Sequence, residues 1–228
     1  MTAKTAVIAG AGGVLGHALV REFATAGYTV VALQRGAGES SADRAIQRLC
    51  CDLSDATDVA GTLTKVGAEH GAVDTLIHNA AQLVVAPFAE LKPADFEAAW
   101  RTSVLGAVAC AQAVLPGMVQ HRRGALIFSG ATASIRGGAR FAAFAAAKFA
   151  LRGLAQSLAR EYHAQGVHVA HVVPDGLLRG SKSVERFGGS DAQAIDPVEI
   201  AKTYRWLAEQ ERSAWTHELD LRPASEKF

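Results

Sequence analysis

Cysteine is scarce in this 228-residue chain, which has three: Cys50 and Cys51, which are adjacent, and Cys110. That number and spacing make neither a disulfide framework nor a metal-ligand set, and they fit buried thiols in a reducing, cytoplasmic setting. Neither sign of charge is in excess. Lys plus Arg is 23 against 22 for Asp plus Glu, so there is no long-range field to attract nucleic acid or an anionic membrane, and a small molecule is the expected partner. A membrane-length apolar run is also missing from the reading. Glycine interrupts MTAKTAVIAGAGG too early for a signal core, and the most apolar later stretch, Val104 to Val119, carries Gln112 and Pro116. Repeats and low-complexity linkers are absent. What remains is 50% hydrophobic and 20% charged, enough to bury one core, so residues 1–228 are expected to form a single domain.

Apolar runs of strand length recur at Thr5 to Ala9, Thr29 to Leu33, Arg48 to Cys51, Val73 to His78, Ala125 to Ser129, Val167 to Val173 and Trp215 to Leu221. Most are continuous and do not alternate, as expected of parallel strands covered on both faces by crossover helices. Helical patterns fill Leu15 to Ala26, Asp55 to Glu69, Pro93 to Gln120, Phe141 to Gln165 and Pro197 to Gln210. The alternation predicts an α/β fold: a Rossmann-like, doubly wound, parallel seven-stranded sheet with helices on both faces. Leu177 to Ile195, rich in Gly and Ser, reads as a loop beyond a strand end.

The first strand runs into Gly10, Ala11, Gly12, Gly13, Val14, Leu15 and Gly16, and a helix follows. Strand, glycine turn and helix in that order suit a dinucleotide: glycines admit positive φ and close approach of the backbone, while the free amides of the helix's first turn donate to pyrophosphate. A tight turn without ligand is the alternative. The second strand ends in Leu33, Gln34 and Arg35, with no acidic residue to hold the ribose hydroxyls of NAD(H). A guanidinium at Arg35 would pair instead with a 2′-phosphate, which favours NADP(H) over NAD(H), the alternative being a solvated strand-end Arg.

With this turn, Asp52, the tripeptide Asn79, Ala80, Ala81, and Lys148 on a long helix, nearly the whole chain resembles the short-chain dehydrogenase/reductase family. The resemblance implies a cofactor site of Gly10, Gly12, Gly13, Leu15, Gly16, Arg35, Asp52, Leu53, Asn79, Ala80, Lys148, Pro174 and Gly176. Ala9 and Val14 depart from the family's TGxxxGxG pattern, and His78 and Ala81 from NNAG. His78 reads as a strand-end residue with a satisfied ring, and His171 as a packed strand residue.

The chemistry positions depart further. The family transfers hydride with a Tyr, Lys, Ser and Asn tetrad, the first two spaced YxxxK. Here Phe144 stands four residues before Lys148, at the Tyr position, and carries no proton to give. Thirteen residues before it, Ala131 occupies the Ser position, with Ser129, Thr132 and Ser134 nearby, and Ser103 occupies the Asn position. Only Lys148 survives, and the resemblance gives it a second role toward the nicotinamide ribose. Asp175 is an insertion between Pro174 and Gly176, read either as a cap of the following loop or as a carboxylate aimed at the substrate. Residues 177–195 match the family's substrate loop, and Arg179, Lys182 and Arg186 read as its solvated face.

Two functions follow: an NAD(P)-dependent oxidoreductase acting on a small carbonyl or alcohol with a degenerate site, or a catalytically inactive dinucleotide sensor or regulatory subunit. A non-redox lyase or isomerase in the same cleft is a third, weaker reading. The family commonly associates through its two long central helices, so the resemblance implies a homodimer or homotetramer.

Overall fold

The apolar runs become strands because neighbouring segments give each backbone its only buried hydrogen-bond partners. The computed structural model describes residues 3–36 and 43–225. Its strands are β1 (Thr5–Ala9), β2 (Thr29–Gln34), β3 (Ile46–Cys50), β4 (Thr75–His78), β5 (Gly124–Ser129), β6 (Val167–Pro174) and β7 (Glu218–Leu221). They form one seven-stranded sheet in the order β3-β2-β1-β4-β5-β6-β7, with every pairing parallel. The continuous runs predicted this arrangement: the central strands β1, β4 and β6 are buried throughout, and β5 is buried at every residue but Gly124. The edge strands β3 and β7 are only half-buried, because each has a neighbour on one side alone.

Helices α1 (Gly13–Thr25), α2 (Ala56–His70), α3 (Pro93–Trp100), α4 (Gly106–Gln120), α5 (Ala142–Tyr162), α6 (Lys182–Arg186) and α7 (Pro197–Ala208) complete the chain. Alternate residues of β1 serve opposite cores. Val7 and Ala9 pack with α2, α4 and α5, while Ala6 and Ile8 pack with α1 and α7, so helices cover both faces.

The structure corrects several boundaries. Helix α1 starts at Gly13, with Gly12 as its N-cap, two residues before the expected Leu15. The expected single helix Pro93 to Gln120 contains a π-helical turn, Arg101–Leu105, and a mid-helix π-turn often marks a functional site. By length and composition Pro93–Gln120 is apolar enough to cross a membrane, contrary to the sequence reading, but half of its most apolar stretch is buried inside the fold. The last strand is shorter than Trp215 to Leu221, and the loop beyond β6 contains α6.

Candidate functional site

The sheet order reverses direction between β1 and β4, and in such sheets ligands bind beyond the strand ends at that point. The glycine turn sits there. Gly10 and Ala11 donate their amides to the Leu33 carbonyl, each at 3.0 Å, and Asn79 Nδ2 donates to the Gly10 carbonyl at 2.9 Å. Gly10 has φ +94°, and a Cβ there would lie 2.5 Å from the Ala80 nitrogen. At Gly16 a Cβ would come within 2.4 Å of the Ala11 carbonyl carbon. Only glycine fits either position. Gly12 and Gly13 face open space, and among the described residues no side chain caps the first turn of α1, which carries no acidic residue. Its amides are left to an anion, as a dinucleotide cradle requires.

A cavity of about 750 Å³ opens on this turn, lined by Gly10, Gly12, Gly13, Arg35, Asp52, Leu53, Asn79 and Ala80 among others. Arg35 is exposed at its wall. Asp52 Oδ1 accepts the Ser54 amide at 2.9 Å and its hydroxyl at 2.7 Å. Those bonds, with a smaller contribution from Arg35, hold the carboxyl below its usual range. His17, Gln82, Arg101 and Thr102 also line the cavity. Sequence reasoning missed them, although the position of His17 one turn into α1 was a usable signal. Leu15 and Gly16 lie beneath the turn, both buried.

A second cavity, of about 580 Å³, is lined by Ala131, Thr132, Arg136, Phe141, Phe144, Pro174, Asp175, Gly176 and Phe187 among others, so the two segments that sequence reading placed beside the substrate do meet. Asp175 is 1% exposed. Its Oδ1 accepts the Thr132 hydroxyl at 2.6 Å, Arg136 Nη2 lies 3.4 Å from the same oxygen, and Arg222 Nε lies 3.1 Å from Oδ2. The side chain therefore belongs to the cavity wall, and the loop-cap reading of Asp175 is set aside. The loop above is tied down: Arg179 Nη1 donates to Asp196 at 2.7 Å and its Nε to the Asp191 carbonyl at 3.2 Å, so Arg179 is more than a solvated cation.

Lys148 follows Phe144 by one helical turn. It is 2% exposed and its Nζ donates to the Ser129 carbonyl at 2.6 Å, 5.8 Å from the centre of the Phe144 ring. Burial pushes the ammonium down to about 8. Ser103, in the π-turn, is fully buried and its hydroxyl has no partner among the described residues. His78 is buried as expected, but its ring is not satisfied. Neither nitrogen has a hydrogen-bond partner among the described residues, and burial, with the nearby Lys148 charge, drives it down to about 3, which keeps the ring neutral. His171 is a packed strand residue as read, with Nδ1 3.2 Å from Glu218.

A profile described as short chain dehydrogenase matches residues 4–183. The chain belongs to the short-chain dehydrogenase family. Among its relatives is the D-threitol dehydrogenase of Mycolicibacterium smegmatis, 29% identical over 183 residues that span 77% of this chain and 70% of that one. A short-chain dehydrogenase from Rhodopseudomonas palustris has a similar structure, with a TM-score of 0.81 at 31% identity over 96% of this chain and 98% of the other. A metagenomic short-chain oxidoreductase in complex with NADP matches with a TM-score of 0.83 at 28% identity over 99% of both chains. The family is one of oxidoreductases, and the resemblance read from the glycine turn, Asn79 and Lys148 is borne out by these matches.

Proposed function

We propose that this short-chain dehydrogenase binds NADP(H) in preference to NAD(H) and acts as an oxidoreductase on a small, largely apolar carbonyl or alcohol. The observation that carries the reading is the glycine turn, built at the reversal point of the sheet with the first turn of α1 left uncapped by any described side chain and Arg35 on the cavity wall. Gly12 and Gly13 would receive the pyrophosphate, Arg35 the 2′-phosphate and Asp52 the adenine end. Bound there, the cofactor supplies or takes up hydride. The second cavity, where Phe144 takes the Tyr position, Ala131 the Ser position and Pro174 and Gly176 line the wall, would hold the substrate. Lys148, whose ammonium is already weakened by burial, would serve the nicotinamide ribose.

A second reading, an inactive dinucleotide sensor or regulatory subunit, is favoured by the absence of a hydroxyl at Phe144 and Ala131. Loss of a general acid costs about 10²- to 10⁴-fold and so weakens turnover without abolishing it. In both readings Trp100, Leu105 and Phe149, exposed large hydrophobic residues of the α3 to α5 region, favour association into a homodimer or homotetramer, and the free cysteines suit cytoplasmic residence. Calorimetric titration with NADPH, NADP, NADH and NAD tests the reading. Micromolar binding of the phosphorylated pair supports it, and no binding of any of the four overturns both forms.

A further inference from the structure

Three hydroxyls, one at the last residue of β5 and two just beyond it, lie where they could stand in for a missing proton-bearing group, and their partners separate them. Ser129 Oγ accepts from the buried Tyr204 hydroxyl at 2.9 Å. Ser134 Oγ is fully buried and accepts the Ala131 amide at 3.1 Å. Of the three, only Thr132 lines the second cavity. A threonine hydroxyl has one proton and two lone pairs, and the proton of Thr132 is committed to Asp175 Oδ1 at 2.6 Å, a short charge-assisted bond. What the Thr132 hydroxyl has left to offer a ligand is therefore lone pairs alone.

We propose that Thr132 and Asp175 form a hydroxyl-reading pair: Thr132 Oγ accepts a hydrogen bond from the O–H of an apolar alcohol, so that the cavity binds the alcohol in preference to the corresponding ketone, which has no proton to offer. The inference rests on the reading of this cavity as the substrate end of the site, and it names the substrate form that the cavity favours. Arg136 does not blur the distinction. Its guanidinium donates, and alcohols accept such bonds as ketones do, so it aids both forms alike. Ser181 and Ser183 also line the cavity, but among the described residues neither hydroxyl is bonded to a carboxylate, and each is free to turn either its proton or its lone pairs to a ligand. The apolar remainder, with Phe141, Phe144 and Phe187, selects the body of the ligand.

The test is ligand-detected NMR titration of the full chain with 1-phenylethanol and acetophenone as probes, without cofactor. The wild-type protein is expected to bind the alcohol about five-fold tighter, the worth of one neutral hydrogen bond. Thr132→Val should bring the two affinities together, Thr132→Ser should keep the preference, and Asp175→Asn, whose amide can donate to Thr132 and turn its proton into the cavity, should narrow or reverse it. Should Thr132→Val fail to fold, Thr132→Ala and Asp175→Asn carry the same comparison. Equal affinities in the wild type, a preference that survives Thr132→Val, or no binding of either probe at millimolar concentration overturns the proposal. NADPH titration of the same sample keeps the two readings apart. Alcohol preference without NADPH binding sinks the cofactor reading alone, and NADPH binding without alcohol preference sinks this one alone.

Discussion

Asn79 and Gly10, 69 residues apart in the chain, are joined by a 2.9 Å hydrogen bond from a side-chain amide to a backbone carbonyl. The bond ties the end of β4 to the turn after β1, and it holds in place the backbone that would face pyrophosphate. Asn79→Ala is expected to weaken NADPH binding about ten-fold, by loss of one partly buried bond, while far-ultraviolet circular dichroism stays unchanged. Undiminished affinity would show that the turn holds itself.

Gly10→Ala acts on the same turn through shape. A methyl group would have to fit 2.5 Å from the Ala80 nitrogen on a backbone with φ +94°, a conformation that costs a side-chain-bearing residue about 1–3 kcal/mol before the clash is counted. Urea denaturation should show a loss of at least about 2 kcal/mol, where Gly12→Ala, which meets nothing within 4 Å, should show little.

Arg35 separates the two cofactors. With Arg35→Ala the affinity for NADPH should fall by about 1.5–3 kcal/mol, the worth of charge-assisted bonds to phosphate, and that for NADH should hold. Calorimetry that shows equal losses for the two would contradict a 2′-phosphate role.

Lys148 gives a pH dependence with a definite sign. Its folded value of about 8 lies below the ordinary 10.5, so between those values the unfolded chain binds more protons than the folded one, and stability rises with pH. The penalty for burying the ammonium is full below pH 8 and is relieved as pH approaches 10.5. Lys148→Met is therefore expected to stabilise the protein at pH 7, by at most about 3 kcal/mol less about 1 kcal/mol for the lost bond to Ser129. The gain should shrink by pH 10. Chemical denaturation at the two pH values checks both the sign and the window.

Phe144→Tyr combined with Ala131→Ser restores the hydroxyls that the family resemblance implies. Because Phe144 and Ala131 line one cavity, reduction of acetophenone by NADPH should rise about 10²-fold or more. Absence of any gain would favour the sensor reading over the enzyme.

All seven strands were legible in the sequence because parallel strands buried on both faces leave uninterrupted apolar runs, and Thr5 to Ala9 matched to the residue. The glycine turn was legible too, since φ and close approach leave no other residue type at Gly10. The π-turn at Arg101–Leu105 was hidden, because one widened turn shifts the helical period too briefly to register in a pattern. The ring of His78 was misread for a similar reason: its lack of partners depends on what packs around it and leaves no trace in spacing. The Thr132 to Asp175 contact spans 43 residues and joins two loops that only the pairing of β5 with β6 brings together.

Because Gly10 and Ala11 are already bonded to Leu33, the turn is assembled before any ligand arrives, and docking there orders no backbone. The heat-capacity change on cofactor binding should then follow the apolar surface covered, free of the larger drop that accompanies coupled folding, and association should proceed in a single concentration-dependent phase.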